Sequence, residues 1–253
     1  MPNTTINRSI GSPFIELPAV DSTNNYAMRQ VQQGFAAHGA VYFAYSQTAG
    51  KGQREKQWIS KPGENIMFSA VLNTNGLLVS AQFHLSMVTA LAAYDLFCKY
   101  AGDQTKIKWP NDIYWRDRKA AGILIENIIR GQEWQWAVAG IGININQTEF
   151  DASLLHAVSL KQITGKTFER VVLAKELCQK IETRFVQLKA EGIQTIVKNY
   201  NEVLYKKDEV VRLKKDNALF NCIVKEVSES GQLLVSGASK QYFDFGEVEW
   251  MVT

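Results

Sequence analysis

Lys106-Ile107-Lys108, Trp109-Pro110-Asn111-Asp112, Ile113-Tyr114-Trp115, Arg116-Asp117-Arg118 and Lys119-Ala120-Ala121-Gly122-Ile123-Leu124-Ile125-Glu126 follow one another without a break in the middle of the chain. Short β-branched and aromatic runs, parted first by a Pro-Asn-Asp turn and then by a charged one, predict antiparallel strands closed by tight connections. Downstream, Trp134 to Ile145 continues the pattern as another strand, interrupted by Gly140 and Gly142. Upstream, Phe14 to Leu17, Val41 to Tyr45 and Asn65 to Asn73 have strand texture. Helices intervene. Asp21-Ser22-Thr23-Asn24 is a cluster of N-cap residues before Tyr26, Ala27 and Val31, and Ser80 opens a long helix with apolar positions at Phe83, Met87, Leu91, Tyr94 and Cys98. Ser159 with Gln162 three places on predicts a capping box, and Phe168 to Ala190 and Ile193 to Tyr200 predict two further helices. From Glu209 the texture changes to short strands at Val210–Leu213, Ala218–Val227, Gln232–Ser236, Gln241–Phe245 and Val248–Val252, which suit a small barrel. The expected class is α+β: a mixed sheet packed with helices over residues 1–205, and a small β-barrel over 206–253.

A chain of 253 residues is long enough for one large domain, or a main domain with an appendage. With 46% apolar and 21% charged residues it is neither fibrous nor disordered. It has no apolar run of membrane length and no signal-peptide pattern, so the expected location is the cytoplasm. The formal charge of +3 is too small for a dedicated duplex-DNA binder. Residues 201–253 hold 7 basic and 9 acidic residues, leaving 21 against 16 upstream, where an anionic ligand would therefore belong. Cys98, Cys178 and Cys222 are far apart and flanked by apolar residues, which reads as reduced core thiols. His38, His84 and His156 show no metal-ligand spacing, so no metal held by the protein is expected. Thr164-Gly165-Lys166-Thr167 imitates the end of a phosphate-binding loop, but Leu160 stands where the loop's first glycine is required, and a helix boundary explains it better. No Gly-x-Ser-x-Gly elbow is present.

Four segments can carry chemistry. Gly50-Lys51-Gly52-Gln53-Arg54-Glu55-Lys56-Gln57-Trp58 puts cations and approachable backbone on a loop after a strand, a pattern that serves phosphate or carboxylate binding and equally a solvated turn. Lys108 to Asp112 holds a lysine and an aspartate beside a rigid proline, or is simply a structural turn. Lys119 to Glu126 places one lysine at the mouth of a buried strand, where snorkelling is the plain alternative. Gly140-Ile141-Gly142-Ile143-Asn144-Ile145-Asn146 alternates glycines along a strand, which marks a close approach of backbone or ligand.

In this order and spacing the four segments resemble the biotin protein ligase family, with its glycine loop ending in Trp, its Lys-Trp-Pro-Asn-Asp turn, its Lys-x-x-Gly-Ile-Leu-x-Glu strand and its Gly-x-Gly-x-Asn-x-Asn strand. The likeness extends from about residue 15 to 250, and Phe245-Gly246-Glu247-Val248 looks like part of that family's C-terminal SH3-like domain. It implies a class II synthetase-like catalytic domain. It also implies a monofunctional ligase without DNA binding, because too few residues precede Phe14 for the winged helix of repressor-type members. The implied reaction joins biotin to ATP, with Mg²⁺ on the phosphates, and passes biotin from biotinyl-AMP to a lysine of a biotin carboxyl carrier domain. A homodimer is compatible with the likeness.

By that resemblance Ser22, Thr23, Asn24 and Gln47 hold the ureido ring, the Gly50 and Lys51 backbone closes over it, and Gly122 and Gly140 leave room for the bicycle. Arg54, Trp58, Asn111 and Asn144 attend the nucleotide. Lys119 reaches the biotin carboxylate and then the adenylate phosphate, helped by Lys51 and Arg54. Asp112, with Lys108 beside it, meets the acceptor lysine, whose reference pKa of about 10.4 demands help in losing its proton. Biotin's carboxylate, like a Glu side chain of pKa about 4.3, needs no base. It does need cations, since two unit charges 4 Å apart repel by about 4 kcal/mol at an effective dielectric of 20. Two positions depart from the family pattern: Lys51 stands for the usual arginine, a point charge in place of a fork, and Glu55 for a glycine. The alternatives are a lipoate or octanoate ligase of the same fold and a non-catalytic biotin-binding adapter.

Overall fold

The structure, a computed structural model, describes residues 9–54, 56–154 and 156–251. Seven strands form the main sheet: β1 (Phe14–Leu17), β2 (Val41–Ala44), β3 (Ile66–Asn73), β4 (Thr105–Lys108), β5 (Asp112–Trp115), β6 (Arg118–Arg130) and β7 (Glu133–Ile143). Their order is β1-β2-β3-β7-β6-β5-β4. Only β1 and β2 run parallel, so the sheet is mixed as expected. The stretch from Lys106 to Glu126 forms its far edge as two successive hairpins, pairing Lys108 with Asp112 and Asp112 with Gly122.

Because side chains alternate across a strand, the sheet presents two apolar faces. On one, Val41, Phe43, Ala70, Leu72 and Ala139 pack with α2 (Gln82–Ala101) and with later helices. α2 is buried nearly all round, as a helix between a sheet and another helix must be. On the other, Tyr42, Val71 and Val138 pack with α1 (Thr23–Gln32). The short α3 (Leu160–Thr164) begins at the predicted capping box, with Ser159 Oγ accepting from Gln162 N and Gln162 Oε1 from Ser159 N, both at 3.2 Å. It stops at Gly165 in the left-handed conformation, so the phosphate-loop imitation is a helix C-terminus. α4 (Arg170–Glu191) buries Leu173, Leu177, Ile181 and Phe185 at every fourth position, and α5 (Ile193–Glu202) leads out of the main unit.

The small unit is an antiparallel sheet of β8 (Val210–Lys215), β9 (Ala218–Val227), β10 (Leu233–Ser236), β11 (Tyr242–Phe243) and β12 (Glu249–Trp250), in order β11-β10-β9-β8-β12. The last strand is shorter than expected, and Val252 lies outside the described residues. This sheet is bolted to the main one. Trp109 Nε1 donates to Gly231 O at 2.9 Å, and the Asn201 amide both donates to Val227 O at 2.9 Å and accepts from Val227 N at 2.7 Å. Gly231 has φ of 92° and lies so close to Phe83 that a Cβ would sit 2.3 Å from the ring. Cys178 and Cys222 are buried free thiols, and burial pushes Cys178 up to about 12, which leaves it unreactive. Among the described residues no helix is long and apolar enough to cross a membrane.

Candidate active site

On the α1 side of the main sheet, register brings two rows of residues together. Ser69 pairs with Gly140 and Gly140 with Leu124. One step along, Met67 pairs with Gly142, Gly142 with Gly122, Gly122 with Asp112 and Asp112 with Lys108. Three glycines in the middle of these rows leave a shallow trough in an otherwise bulky surface. The N-terminal end of α1 and the loop 50–58 close over it.

One end of the trough is polar and fully cross-linked. Thr23 N donates to Gln47 Oε1 at 2.7 Å, and Thr23 Oγ1 lies 3.1 Å from the same oxygen. Ser69 Oγ stands 2.7 Å from Thr23 Oγ1 and 2.6 Å from Asn24 Oδ1. Asn24 Nδ2 donates to Leu124 O at 3.2 Å and to Glu126 Oε2 at 2.8 Å, and Lys51 Nζ donates to Glu126 Oε1 at 2.7 Å. Ser22 is also buried here. Just outside, Arg29 holds Asp21 in a two-pronged contact at 3.0 and 3.1 Å, which keeps that carboxyl well below the usual range.

The other end carries charge. Lys119 Nζ is 2.7 Å from Asp112 Oδ1. Lys108 is buried, donates to Tyr114 OH at 3.1 Å and lies 4.4 Å from the Tyr114 ring centre and 5.5 Å from that of Trp250 on the small sheet. Burial pulls its pKa down to about 8, against the opposing attraction of Asp112. The same burial raises the Tyr114 hydroxyl. The Asn111 side chain pins the turn to β6 by donating to Ile123 O at 2.7 Å.

Between the two ends lies Trp58. Its indole rests so closely on Gly142 that a Cβ there would come within 2.4 Å, and one on Gly122 within 3.1 Å. Its Nε1 is buried with no partner among the described residues. The loop, expected to lack regular structure, is folded down as a short ribbon: Lys51 bridges Gln57, Gly52 N donates to Lys56 O at 2.7 Å and Trp58 N to Gly50 O at 2.9 Å. Gly50 permits this, since a Cβ would meet Trp58 O at 2.4 Å. With the ribbon down, the clear space is about 60 Å³.

Of the residues singled out in the sequence, Ser22, Thr23, Asn24, Gln47, Lys51, Trp58, Asn111, Asp112, Lys119, Gly122 and Gly140 line this one trough. Four take other positions. Gly50 hinges the ribbon. Arg54, at the ribbon tip, turns its guanidinium to the ring of Phe245, in the turn between β11 and β12 of the small unit, 5.4 Å from its centre. Lys108 faces the aromatic box, and Asn144 is buried behind β6 with Nδ2 3.4 Å from Lys119 O. Gly140 leaves room for the Asn24 amide, not for open space: a Cβ would be 2.1 Å from Asn24 Oδ1. Both N–H groups of Asn24 are already spent inside the protein, so it shapes the wall. Glu55 lies outside the described residues. Gln53 and Gly142 line the trough, and Ser69 and Glu126 support its wall from behind, without having been singled out as site residues. A lone hydroxyl in the apolar strand Ile66–Asn73 was the available signal for Ser69.

The model of the biotin/lipoate A/B protein ligase family matches residues 16–144. The bifunctional ligase/repressor of Salmonella typhimurium is 29% identical over 189 residues, covering 74% of this chain and 58% of its own length. The chain thus spans little more than half of that relative. The biotin--[acetyl-CoA-carboxylase] ligase of Paracoccus denitrificans is 29% identical over 240 residues, covering 92% of this chain and 98% of that one. Among solved structures, the biotin protein ligase of Aquifex aeolicus in complex with biotin and ATP superposes with a TM-score of 0.79 at 24% identity, over 94% of this chain and 98% of that one, which shows a shared fold.

Proposed function

The chain belongs to the biotin/lipoate A/B protein ligase family, and from that premise we propose that it activates biotin with ATP and transfers it to a lysine of a biotin carboxyl carrier domain. A carboxylate oxygen of biotin attacks the α-phosphorus of ATP and pyrophosphate leaves. The acceptor amine then attacks the carbonyl of biotinyl-AMP and AMP leaves. The observation that carries this reading is the trough itself: a hydrogen-bonding wall at one end, a lysine–aspartate pair at the other, and a glycine floor between them on one face of the sheet.

In this reading the ureido ring lies against Thr23 and Gln47, and the Ser22 hydroxyl donates to its carbonyl. Lys119 exchanges Asp112 for the substrate carboxylate and then for the adenylate phosphate, where a fixed cation offsets charge as it develops. Asp112, released from Lys119, accepts from the incoming ammonium. The orphaned Nε1 of Trp58 gains an acceptor from the substrate, and the ribbon closes to exclude water from the anhydride. Asp112 is the single carboxylate lining the trough among the described residues, which suits a Mg²⁺ ion held mainly by phosphate oxygens and its own waters. We also take residues 1–205 as the catalytic unit and 206–253 as the appended one, working in the cytoplasm.

Calorimetric titration with biotin and then ATP, followed by mass analysis of a carrier domain, tests the proposal. Tight biotin binding and a carrier adduct are expected. Binding without an adduct would leave the adapter reading, and an adduct formed from lipoate or octanoate but not biotin would leave that branch of the family.

A further inference from the structure

We infer that Trp250, carried by the small sheet, is a positioning residue for the transfer step: its ring closes an aromatic box that draws the Lys108 amine away from Asp112 and keeps it as the base for the acceptor's proton. The role rests on the trough being the ligase site proposed above.

Register puts Lys108 directly opposite Asp112 on neighbouring antiparallel strands, and residues so paired share one face of the sheet. A lysine there would ordinarily reach across to the carboxylate. Instead Asp112 is taken by Lys119 at 2.7 Å, and the Lys108 ammonium turns to Tyr114, two residues further along β5, donating to its hydroxyl at 3.1 Å. Three rings make the diversion possible. Tyr114 stands 4.4 Å from the ammonium and Trp250 5.5 Å. Tyr205, in the connection between α5 and β8, leans on both, with ring centres 5.2 and 5.9 Å away, and is itself pinned by donating to Asp117 Oδ1 at 2.6 Å. Ring faces attract a cation without matching a carboxylate's charge, and Trp offers the strongest face. Lys108, only 7% exposed, is thus held in place and yet poorly stabilised as a cation.

A proton acceptor needs that combination. The incoming lysine is an ammonium with a reference pKa of about 10.4, for which a carboxylate of about 4 is a poorly matched base. Lys108, at about 8, is a closer match. With Lys119 on the adenylate phosphate, Asp112 orients the ammonium; one of its N–H bonds breaks toward neutral Lys108, which becomes the cation. The freed amine attacks the anhydride carbonyl and AMP leaves. Four elements bring charge to bear on Lys108: Asp112 on β5 and Asp117 in the next turn favour its proton, while Lys119 on β6 and Lys56 on the ribbon oppose it. The Tyr114 and Tyr205 hydroxyls, both raised by burial, stay neutral. Without Trp250, water reaches the amine and Lys108 can swing to Asp112, and both changes favour the charged form.

Single-turnover transfer from isolated biotinyl-AMP to a carrier domain, followed across pH beside biotin-dependent pyrophosphate exchange, tests this. Trp250→Ala should raise the midpoint of the transfer profile from near 8 by about one unit and slow transfer at neutral pH by about tenfold, while exchange stays within about twofold. Trp250→Phe, which keeps a ring over the amine, should restore most of both rate and midpoint. In a Lys108→Met background, Trp250→Ala should slow transfer no further. An unmoved midpoint in Trp250→Ala, or an equal loss when Lys108 is already replaced, would overturn the inference and reduce Trp250 to packing between the two sheets. A wild-type protein that forms no biotinyl-AMP would instead overturn the reading of the trough on which it rests.

Discussion

The two ends of the trough handle polar groups in opposite ways. At the end formed by Thr23, Asn24, Gln47 and Ser69 nearly every donor and acceptor is matched within the protein, through side chains of four different elements. At the other end Lys119 and Asp112 face each other, Lys108 is a cation among aromatic rings, and the indole N–H groups of Trp58 and Trp250 are buried without partners among the described residues. Full satisfaction makes a rigid surface suited to recognition. Incomplete satisfaction costs stability and leaves groups ready to exchange partners when a substrate arrives. The contrast separates a binding end from a reacting end.

The largest effects should follow from the reacting end. Lys119→Ala should slow pyrophosphate release by about 10²–10³, as loss of a charge-stabilising group does. Asp112→Asn should slow transfer from isolated biotinyl-AMP by about a hundredfold in single-turnover assays while sparing adenylation by comparison. Transfer at the wild-type rate in Asp112→Asn would remove that residue from the second step.

Next comes Lys108. Its folded value of about 8 lies below the 10.5 of an unperturbed lysine, so the folded chain releases this proton first. Below about pH 8 both folded and unfolded chains hold the proton and the burial penalty is present in full. As pH rises from 8 toward 10.5 the penalty is relieved, so this residue's contribution makes the protein more stable. Lys108→Met should therefore raise stability near pH 7 by about 1–3 kcal/mol in urea titrations and abolish that rise. If neutral Lys108 takes the acceptor's proton, the wild-type transfer rate should climb with a midpoint near pH 8 and the variant's should not.

The smallest effect belongs to the rim of the binding end. Arg29 and Asp21 form a well-aligned pair, but both are more than a third exposed. Arg29→Ala should cost no more than about 1 kcal/mol and should not change affinity for biotin measurably. A large affinity loss there would show that the polar wall depends on its exposed rim as well as on its buried members.

Much of this contrast was legible before any coordinates. Period-two alternation and turn residues mark the strands, and the capping box at Ser159 and Gln162 is spelled out locally. Eleven of the fifteen named site residues meet in one trough, seven of them from the four motifs and the other four being Ser22, Thr23, Asn24 and Gln47. What escaped depends on register. Ser69 matters because it falls opposite Gly140, and Glu126 because β6 carries its side chain back to Asn24 and Lys51. Neither relation has a signature along the chain. Arg54 was assigned to the nucleotide by the resemblance alone, and its guanidinium lies by Phe245, nearly two hundred residues away in sequence, a neighbour no local pattern announces. The ribbon at 50–58 was unreadable for a different reason: backbone bonds between Gly50, Gly52, Lys56 and Trp58 hold it, and side-chain periodicity does not report them.

A crystal of the protein grown with biotin and ATP tests the division of labour most directly. The account predicts biotinyl-AMP along the glycine floor, with ring nitrogens on Thr23 Oγ1 and Gln47 Oε1, the phosphate on Lys119, and Asp112 free of its present partner. Density for the ring beside Asp112 and Lys119, or an intact Lys119–Asp112 pair beneath a bound adenylate, would contradict it.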